Sequence, residues 1–329
     1  MKSILNHSYE NLISVDNLLE AWQEFLRGKR SKSDVQIFQF NLMNNILQLH
    51  EDLKNKTYKH GGYQEFKIND PKPRTIHKAT VRDRLLHHAV YRILYSFYDK
   101  TFIADSFSCR NNKGTRKAIN RFRKFSYIVS KNNTKTCWIL KCDIRKFFAN
   151  VNRQILSDML SRSILDGKIV DLLNGIIFSF DKGLPLGNLT SQLFANVYLN
   201  ELDQFVKHKL KITYYIRYAD DFVIFSEDKK YLENLIFEIS EFLENKLKLQ
   251  MHPDKIFIKT LSSGVDFLGW VNFSVHRTLR NKTKRRMIAR INKNPTVETL
   301  NSYLGFIRHG NARKIKDGFL KSGFPLLRE

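Results

Sequence analysis

The chain has 329 residues, 42% of them hydrophobic, and carries 56 Lys and Arg against 32 Asp and Glu, a net charge of +24. That hydrophobic content excludes wholesale disorder, and the length suffices for two or three subdomains with a buried core. The positive excess points to a polyanion, nucleic acid ahead of a membrane surface in a chain this rich in aromatic residues. No apolar run approaches membrane-spanning length, and the N-terminal Met1-Lys-Ser-Ile-Leu-Asn6 lacks an apolar signal core. Cys109, Cys137 and Cys142 are odd in number and lack paired zinc-ligand spacing, which fits reduced cytosolic thiols.

Residues 12–53 show helical periodicity, with Leu12, Val15, Leu18, Leu19, Trp22 and Phe25, then Phe38, Leu42, Ile46, Leu49 and Leu53, recurring at steps of three and four. After a short alternating stretch (Tyr63, Phe66, Ile68), the two prolines of Asp70-Pro-Lys-Pro-Arg-Thr-Ile-His77 make an extended or turning segment. Lys72 and Arg74 project from it, where a guanidinium can hold a phosphate or simply sit on the surface. A helix is expected from Val81. A polar loop centred on Gly114 opens a basic helix, so that Arg110, Lys113 and Arg116 suit either phosphate contacts or solvent.

The run Cys137-Trp-Ile-Leu-Lys-Cys-Asp143 reads as a strand that ends in a carboxylate, a costly residue there unless paired or bound to metal. Helices are expected over 153–178 and from the Gly/Pro loop 182–192 onward, with Asn188 or Thr190 as cap. Two β-rich runs, Ile212–Tyr218 and Phe222–Phe225, flank Ala219-Asp220-Asp221 and predict a hairpin with two carboxylates at its tip. Adjacent carboxylates repel, so the tip is either a solvated turn or a divalent-metal site. A turn of this kind more usually contains Gly or Asn.

A helix over 230–247, strands over 253–259 and 265–273, and a helical 276–329 complete the pattern. That last segment has 14 Lys and Arg against three acids, among them Lys282, Lys284, Arg285 and Arg286, dense enough to track a phosphate backbone. The order over 136–273 is strand, helices, hairpin, helix, strands: an α+β arrangement with helices on one face of an antiparallel sheet. Three carboxylates on neighbouring strand ends in a positive field suit two-metal phosphoryl transfer.

The stretches Lys141-Cys-Asp-Ile-Arg-Lys-Phe-Phe148, Gly183-Leu-Pro-Leu-Gly187, Tyr218-Ala-Asp-Asp221, Pro253-Asp-Lys255 and Phe267-Leu-Gly-Trp270 resemble, in this order, the palm motifs of reverse transcriptases. The resemblance implies a right-hand polymerase with fingers over 1–135, a ferredoxin-like palm over 136–273 and a short basic thumb over 274–329. It implies that Asp143, Asp220 and Asp221 are catalytic and bind two Mg²⁺ ions, with Mn²⁺ as a substitute. It further implies that Phe148 is the steric gate against a ribose 2′-hydroxyl, that Arg74 and Lys72 meet the triphosphate, and that Lys255 meets the leaving pyrophosphate.

Most reverse transcriptases carry Pro-Gln-Gly and then Ser-Pro in the nucleotide-pocket loop, whereas this chain has Pro185-Leu186-Gly187 and Ser191-Gln192. In this it resembles the reverse transcriptases of diversity-generating retroelements, relatives of the group II intron and retron enzymes. The implied activity is copying of a template-repeat RNA into cDNA with errors at adenines, through an RNA–DNA hybrid and from dNTPs. The implied partner is a small basic, oligomeric accessory protein, and the implied location is a bacterial cytoplasm, with no membrane. Another bacterial or phage reverse transcriptase, a nucleotide cyclase and a non-catalytic RNA-binding protein are the competing expectations.

Overall fold

The computed structural model describes residues 4–69, 73–293, 296–308 and 310–311. Four helices come first: α1 (Tyr9–Ile13), α2 (Val15–Phe25), α3 (Ser33–Phe40) and α4 (Leu42–Lys54). A hairpin of β1 (Tyr63–Ile68) and β2 (Arg74–Ala79) precedes α5 (Val81–Tyr98) and α6 (Thr115–Val129). Next come β3 (Trp138–Asp143), α7 (Phe147–Asn150), α8 (Arg153–Ser161), α9 (Gly167–Phe178) and α10 (Leu189–Gln204). Then follow β4 (Tyr215–Tyr218), β5 (Asp221–Ser226), α11 (Lys229–Leu247) and β6 (Phe257–Thr260). The described chain closes with β7 (Val265–Phe267), β8 (Trp270–Asn272), β9 (Arg277–Leu279), α12 (Asn281–Lys293) and α13 (Val297–Ile307).

These elements form two compact units, each built from separate stretches of chain. One comprises the described residues up to Ala104 with Ile144–Lys211 and Ile239–Met251; the other comprises Asp105–Asp143, Ile212–Glu238 and the described residues from His252. In the first unit most of the expected apolar stripe is core: Leu12, Leu18, Trp22, Phe25, Ile46, Leu49 and Leu53 are buried, as is most of α5, whereas Val15, Leu19, Phe38 and Leu42 are half-buried. Thr80 caps α5 by accepting a hydrogen bond from the Asp83 amide.

In the second unit an antiparallel sheet has the strand order β4-β5-β3-β6. The side chains of Ile139, Ile216, Val223 and Phe225 pack with Phe122, Phe125 and Val129 of α6 and with Val265 and Phe267 of β7. The alternate residues Leu140, Cys142, Phe222 and Ile224 are buried as well, which explains why β5 reads as an unbroken apolar run. A second cluster joins Trp270 and Leu279 to Met287 and Ile291 of α12 and to Leu300 and Ile307 of α13. Cys137 and Cys142 are buried and Cys109 is exposed, all three with free thiols.

Four sequence expectations need correction. The strand expected over 265–273 is a hairpin, because Leu268 (φ 51°) and Gly269 (φ 86°) turn the chain between β7 and β8. Residues 277–279 are not helical but pair as β9 with β8, which delays the basic helix to Asn281. The strand expected from 253 starts at Phe257, after a 3-10 turn at Pro253–Lys255. Asn188 occupies the N-cap of α10 without capping it, since its side chain donates to the His77 carbonyl at 3.4 Å, and Thr190 is buried inside the helix. Lys72 lies outside the described residues.

The first unit holds a buried polar network with a pH consequence. Asp83, only 1% exposed, accepts from the Tyr58 hydroxyl at 2.7 Å, the Thr80 hydroxyl at 2.6 Å and the Gly61 amide at 3.1 Å. Alongside it, the Nε2 atoms of His60 and His87 lie 3.2 Å apart. Burial, then the neighbouring His60, His88 and Arg84, push the His87 imidazole down to about 3. Above about pH 6.5 neither the folded nor the unfolded chain holds this proton, and the full stability is present. Below it the unfolded chain binds the proton and the fold does not, costing about 1.4 kcal/mol per pH unit until roughly pH 3. Urea midpoints measured at pH 7.5 and 5.5 should therefore fall at the lower pH, and His87→Gln should flatten that dependence. An equal slope in both proteins would refute the assignment.

Candidate active site

The carboxylates come together because of strand register. Asp143, the last residue of β3, stands opposite Asp221, the first residue of β5, and Tyr218 pairs with Asp221 to leave Ala219 and Asp220 as a two-residue tip. Ala219 takes the left-handed conformation (φ 54°) that glycine or asparagine more often supplies, a strain of about 1–2 kcal/mol. The fully buried Arg217 braces this tip, donating from Nη1 to the Ala219 carbonyl at 3.2 Å. The chain before α6 braces the same strand: the Arg217 amide donates to the Asp105 carbonyl and the Phe107 amide to the Arg217 carbonyl, both at 3.0 Å.

Two lysines neutralise part of the negative charge. Lys255 Nζ lies 2.6 Å from Asp143 Oδ1, and Lys141 Nζ lies 3.6 Å from Asp221 Oδ1. The His252 amide donates to the Asp143 carbonyl at 2.7 Å and fixes the turn that carries Lys255. Burial, then the charge of Asp143, push the Asp220 carboxyl up to about 6. Burial also raises the Asp221 carboxyl; Asp143 adds to this, and Lys141 and Lys255 oppose it.

Among the described residues no three His, Cys, Asp or Glu side chains converge as a ready-made metal-ligand set. Asp143 and Asp221 turn instead to the lysines, the nearby cations that offset their repulsion. The donor set nevertheless fits a hard divalent ion: it offers only oxygens, and burial together with the charge of Asp143 holds the Asp220 and Asp221 carboxyls above their usual range, a cost that a bound cation would offset.

The nucleotide-pocket residues expected from sequence lie in the first unit, where backbone contacts tie several together. Gly183 has a positive φ of 65°, and a Cβ there would sit 2.2 Å from the Phe148 carbonyl oxygen. The Leu184 amide donates to that same oxygen at 2.8 Å. The Leu186 carbonyl accepts from the His77 amide of β2 at 2.9 Å, and a Cβ at Gly187 would meet Ile76 Cγ2 at 2.7 Å. Arg74 is exposed at the start of β2, Gln192 is exposed on α10, and Phe148 is half-buried against Phe147.

The basic set is spread over the loop before α6, α6 itself and α12, all in the second unit. Arg116 is exposed on α6, Arg110 donates to the Ser106 carbonyl at 3.0 Å, and Lys113 lies 5.3 Å from the centre of the Phe107 ring. Lys282, Lys284 and Arg285 are exposed on α12 and Arg286 is half-buried. Arg280, which looked equally free in sequence, is taken by Asp266 at 2.6 Å. Sequence inspection missed Arg217 and assigned no role to Lys141. The available signal was a charged residue inside an apolar strand, affordable only with a partner.

The chain is 24% identical over 246 residues to Protein YkfC of Escherichia coli, an alignment spanning 62% of each protein. It is also 24% identical over 280 residues to the group II intron-encoded protein LtrA of Lactococcus lactis, covering 62% of this chain and 45% of LtrA. With the retron Ec73 reverse transcriptase of Escherichia coli it shares 25% identity over 176 residues, 46% of this chain and 54% of that enzyme. The chain thus spans less than two thirds of the length of each of these relatives. Among solved structures, apo telomerase from Candida tropicalis matches with a TM-score of 0.54 at 12% identity, over 70% of this chain and 50% of that one. That likeness shows the fold, a mixed α and β polymerase of the right-hand class. A family profile described as reverse transcriptase (RNA-dependent DNA polymerase) matches residues 59–271, and the chain belongs to that family.

Proposed function

We propose that the chain is an RNA-directed DNA polymerase that copies a template-repeat RNA into cDNA with errors concentrated at adenines. The carboxylate arrangement of Asp143, Asp220 and Asp221 supports polymerisation. Two bound divalent ions, Mg²⁺ in this proposal, would supply positive charge at the attacking 3′-oxygen and at the departing pyrophosphate. Asp143, Asp220 and Asp221 would hold them. Lys255, already beside Asp143, then has a charge to give the pyrophosphate oxygens, and Arg74 and Lys72 bind the triphosphate. Phe148 closes the space beneath the sugar, and its position depends on the Gly183 backbone packed against its carbonyl.

In this proposal the fingers span 1–135, the palm 136–273 and the thumb 274–329. Arg110, Lys113 and Arg116 on one side, and Lys282, Lys284, Arg285 and Arg286 on the other, contact the backbone of template and hybrid. The protein works in a bacterial cytoplasm with a small basic accessory protein. No described helix is long and apolar enough to cross a membrane.

The diversity-generating class rests on Leu186 and Gln192. A glutamine at 186 could hydrogen-bond polar groups around the nucleotide and template, and leucine cannot. The difference is roughly 0.5–3 kcal/mol, where about 1.4 kcal/mol is tenfold in discrimination. Leu186→Gln is expected to lower misincorporation opposite template adenines by about tenfold while extension on other bases is unchanged. Sequencing cDNA made by both proteins on one adenine-containing RNA tests this, and equal adenine error rates would remove Leu186 from the explanation. The retron and intron relatives support a second reading, a reverse transcriptase without adenine bias. In the same experiment, wild-type cDNA with errors spread evenly over the four bases would favour it, and absence of any DNA product would refute both.

A further inference from the structure

A different group of cations lies away from the carboxylates in the second unit. A cavity of about 340 Å³ opens between α6, the β8–β9 turn and the chain after α13. Arg123, Arg277 and Arg308 line it with His276, and no Asp or Glu is among its described lining residues. Arg277 donates from Nη2 to Asn120 at 3.1 Å, while its Nη1 is buried without a hydrogen-bond partner among the described residues. Burial and the charge of Arg123 lower the Arg277 pKa.

The rim of the cavity is aromatic. The exposed His276 ring stacks on Phe273 with centroids 4.7 Å apart and planes 14° from parallel. The location is also informative. Ser274, in the same turn, lines a neighbouring cavity with Cys137, the residue before β3, whose far end carries Asp143. The turn that carries Ser274 therefore lies toward the end of β3 remote from Asp143, which is roughly 17 Å of strand away at about 3.3 Å per residue.

We propose that this cavity is a second nucleic-acid site, which takes the backbone phosphates of a single strand on Arg123, Arg277 and Arg308 and a base on the Phe273–His276 stack. Guanidinium groups match phosphate oxygens in fork geometry, and an aromatic face beside them stacks any base. A cavity of this size holds about one nucleotide, which selects a single strand over a duplex. The flat aromatic rim favours nucleic acid over an acidic peptide. The proposal goes beyond polymerisation, and it rests on that function only for the source of the strand, the template outside the hybrid.

The test is photocrosslinking of the full chain, without primer or dNTPs, to 12-nucleotide oligouridylate or oligothymidylate carrying one 4-thio base, with mapping by mass spectrometry. A crosslink within residues 273–276 is expected, and the sugar that gives it identifies the strand as RNA or DNA. The Arg123→Gln/Arg308→Gln variant changes two exposed side chains and should retain its melting temperature. It should lose the crosslink about tenfold and lower the salt slope of the crosslink by about 1.4, at roughly 0.7 per phosphate. His276→Ala should lower it about fivefold by removing the outer ring of the stack. Crosslinks elsewhere only, an unchanged yield in the double variant, or equal displacement by polyglutamate would overturn the proposal. Failure of the polymerase assignment would look different, as absence of DNA product on a primed RNA with this crosslink intact.

Discussion

Asp220→Asn is expected to lower DNA synthesis by about 10²–10³-fold or more, to leave primer–template affinity within twofold, and to make the fold more stable. The first effect follows from the proposed role, because the variant removes one of the three carboxylates assigned to hold the ions. The second follows because one carboxylate is a small part of a surface whose net charge is +24. The third follows from the carboxyl's environment. Burial and Asp143 raise its pKa from 3.8 to about 6, so the folded protein resists its ionisation. The penalty is absent below about pH 4, grows as pH rises, and is complete above about pH 6. Asparagine removes it, a gain of about 1–3 kcal/mol at pH 7.5. Primer extension, filter binding and urea unfolding of one preparation check the three parts. Retained synthesis would remove Asp220 from the catalytic set, and lower stability would mean the tip depends on the charge it strains against.

Gly183→Ala is expected to destabilise the protein by about 2–4 kcal/mol, for reasons of backbone geometry. An added Cβ would lie 2.2 Å from the Phe148 oxygen, 2.7 Å from the Ala149 carbonyl carbon and 2.8 Å from the Ala149 oxygen. All three are main-chain atoms, so no side chain can swing aside, and overpacking adds to the cost of a left-handed alanine. Relaxation would shift the Gly183 loop against Phe148 and Ala149, so with Phe148 as the proposed sugar gate the surviving folded fraction should also incorporate ribonucleotides more readily than wild type. Gly175→Ala is the control: it lies in α9 with nothing within 4 Å of the added carbon, and should be neutral or stabilising by up to about 1 kcal/mol. Equal midpoints for the two variants in urea would refute the packing account.

Much of this was legible in the sequence, for physical reasons that differ from place to place. The Asp143 and Asp220–Asp221 strand ends were readable because carboxylates beside apolar runs violate ordinary burial. The helices over 12–53 were readable because their buried stripe has the helical period. The β7–β8 turn was not, since Leu268 adopts a positive φ that leucine rarely takes and only tertiary packing enforces. Nor was the division of the basic residues after 276: Arg280 pairs with Asp266, Arg277 turns into a cavity, and Lys284 stays exposed, although all three look alike in composition. The partner roles of Lys141 and Lys255 depend on strand register, which local spacing does not encode.

The interleaving of the two units bears on how the chain is made. Asp143 leaves the ribosome long before its last sheet neighbour, because β3 pairs on one side with β5 and on the other with β6, which ends at Thr260. At about 5–20 residues per second, the intervening chain takes on the order of ten seconds to synthesise. Throughout that interval β3 has apolar faces and open edges, the surface most prone to pairing with another chain. The first unit waits too, since its final segment, Ile239–Met251, emerges only after the carboxylate hairpin. Neither half can mature as an N-terminal domain ahead of the other, so yield in a foreign host should depend on translation speed and chaperone supply more than on the stability of the finished fold.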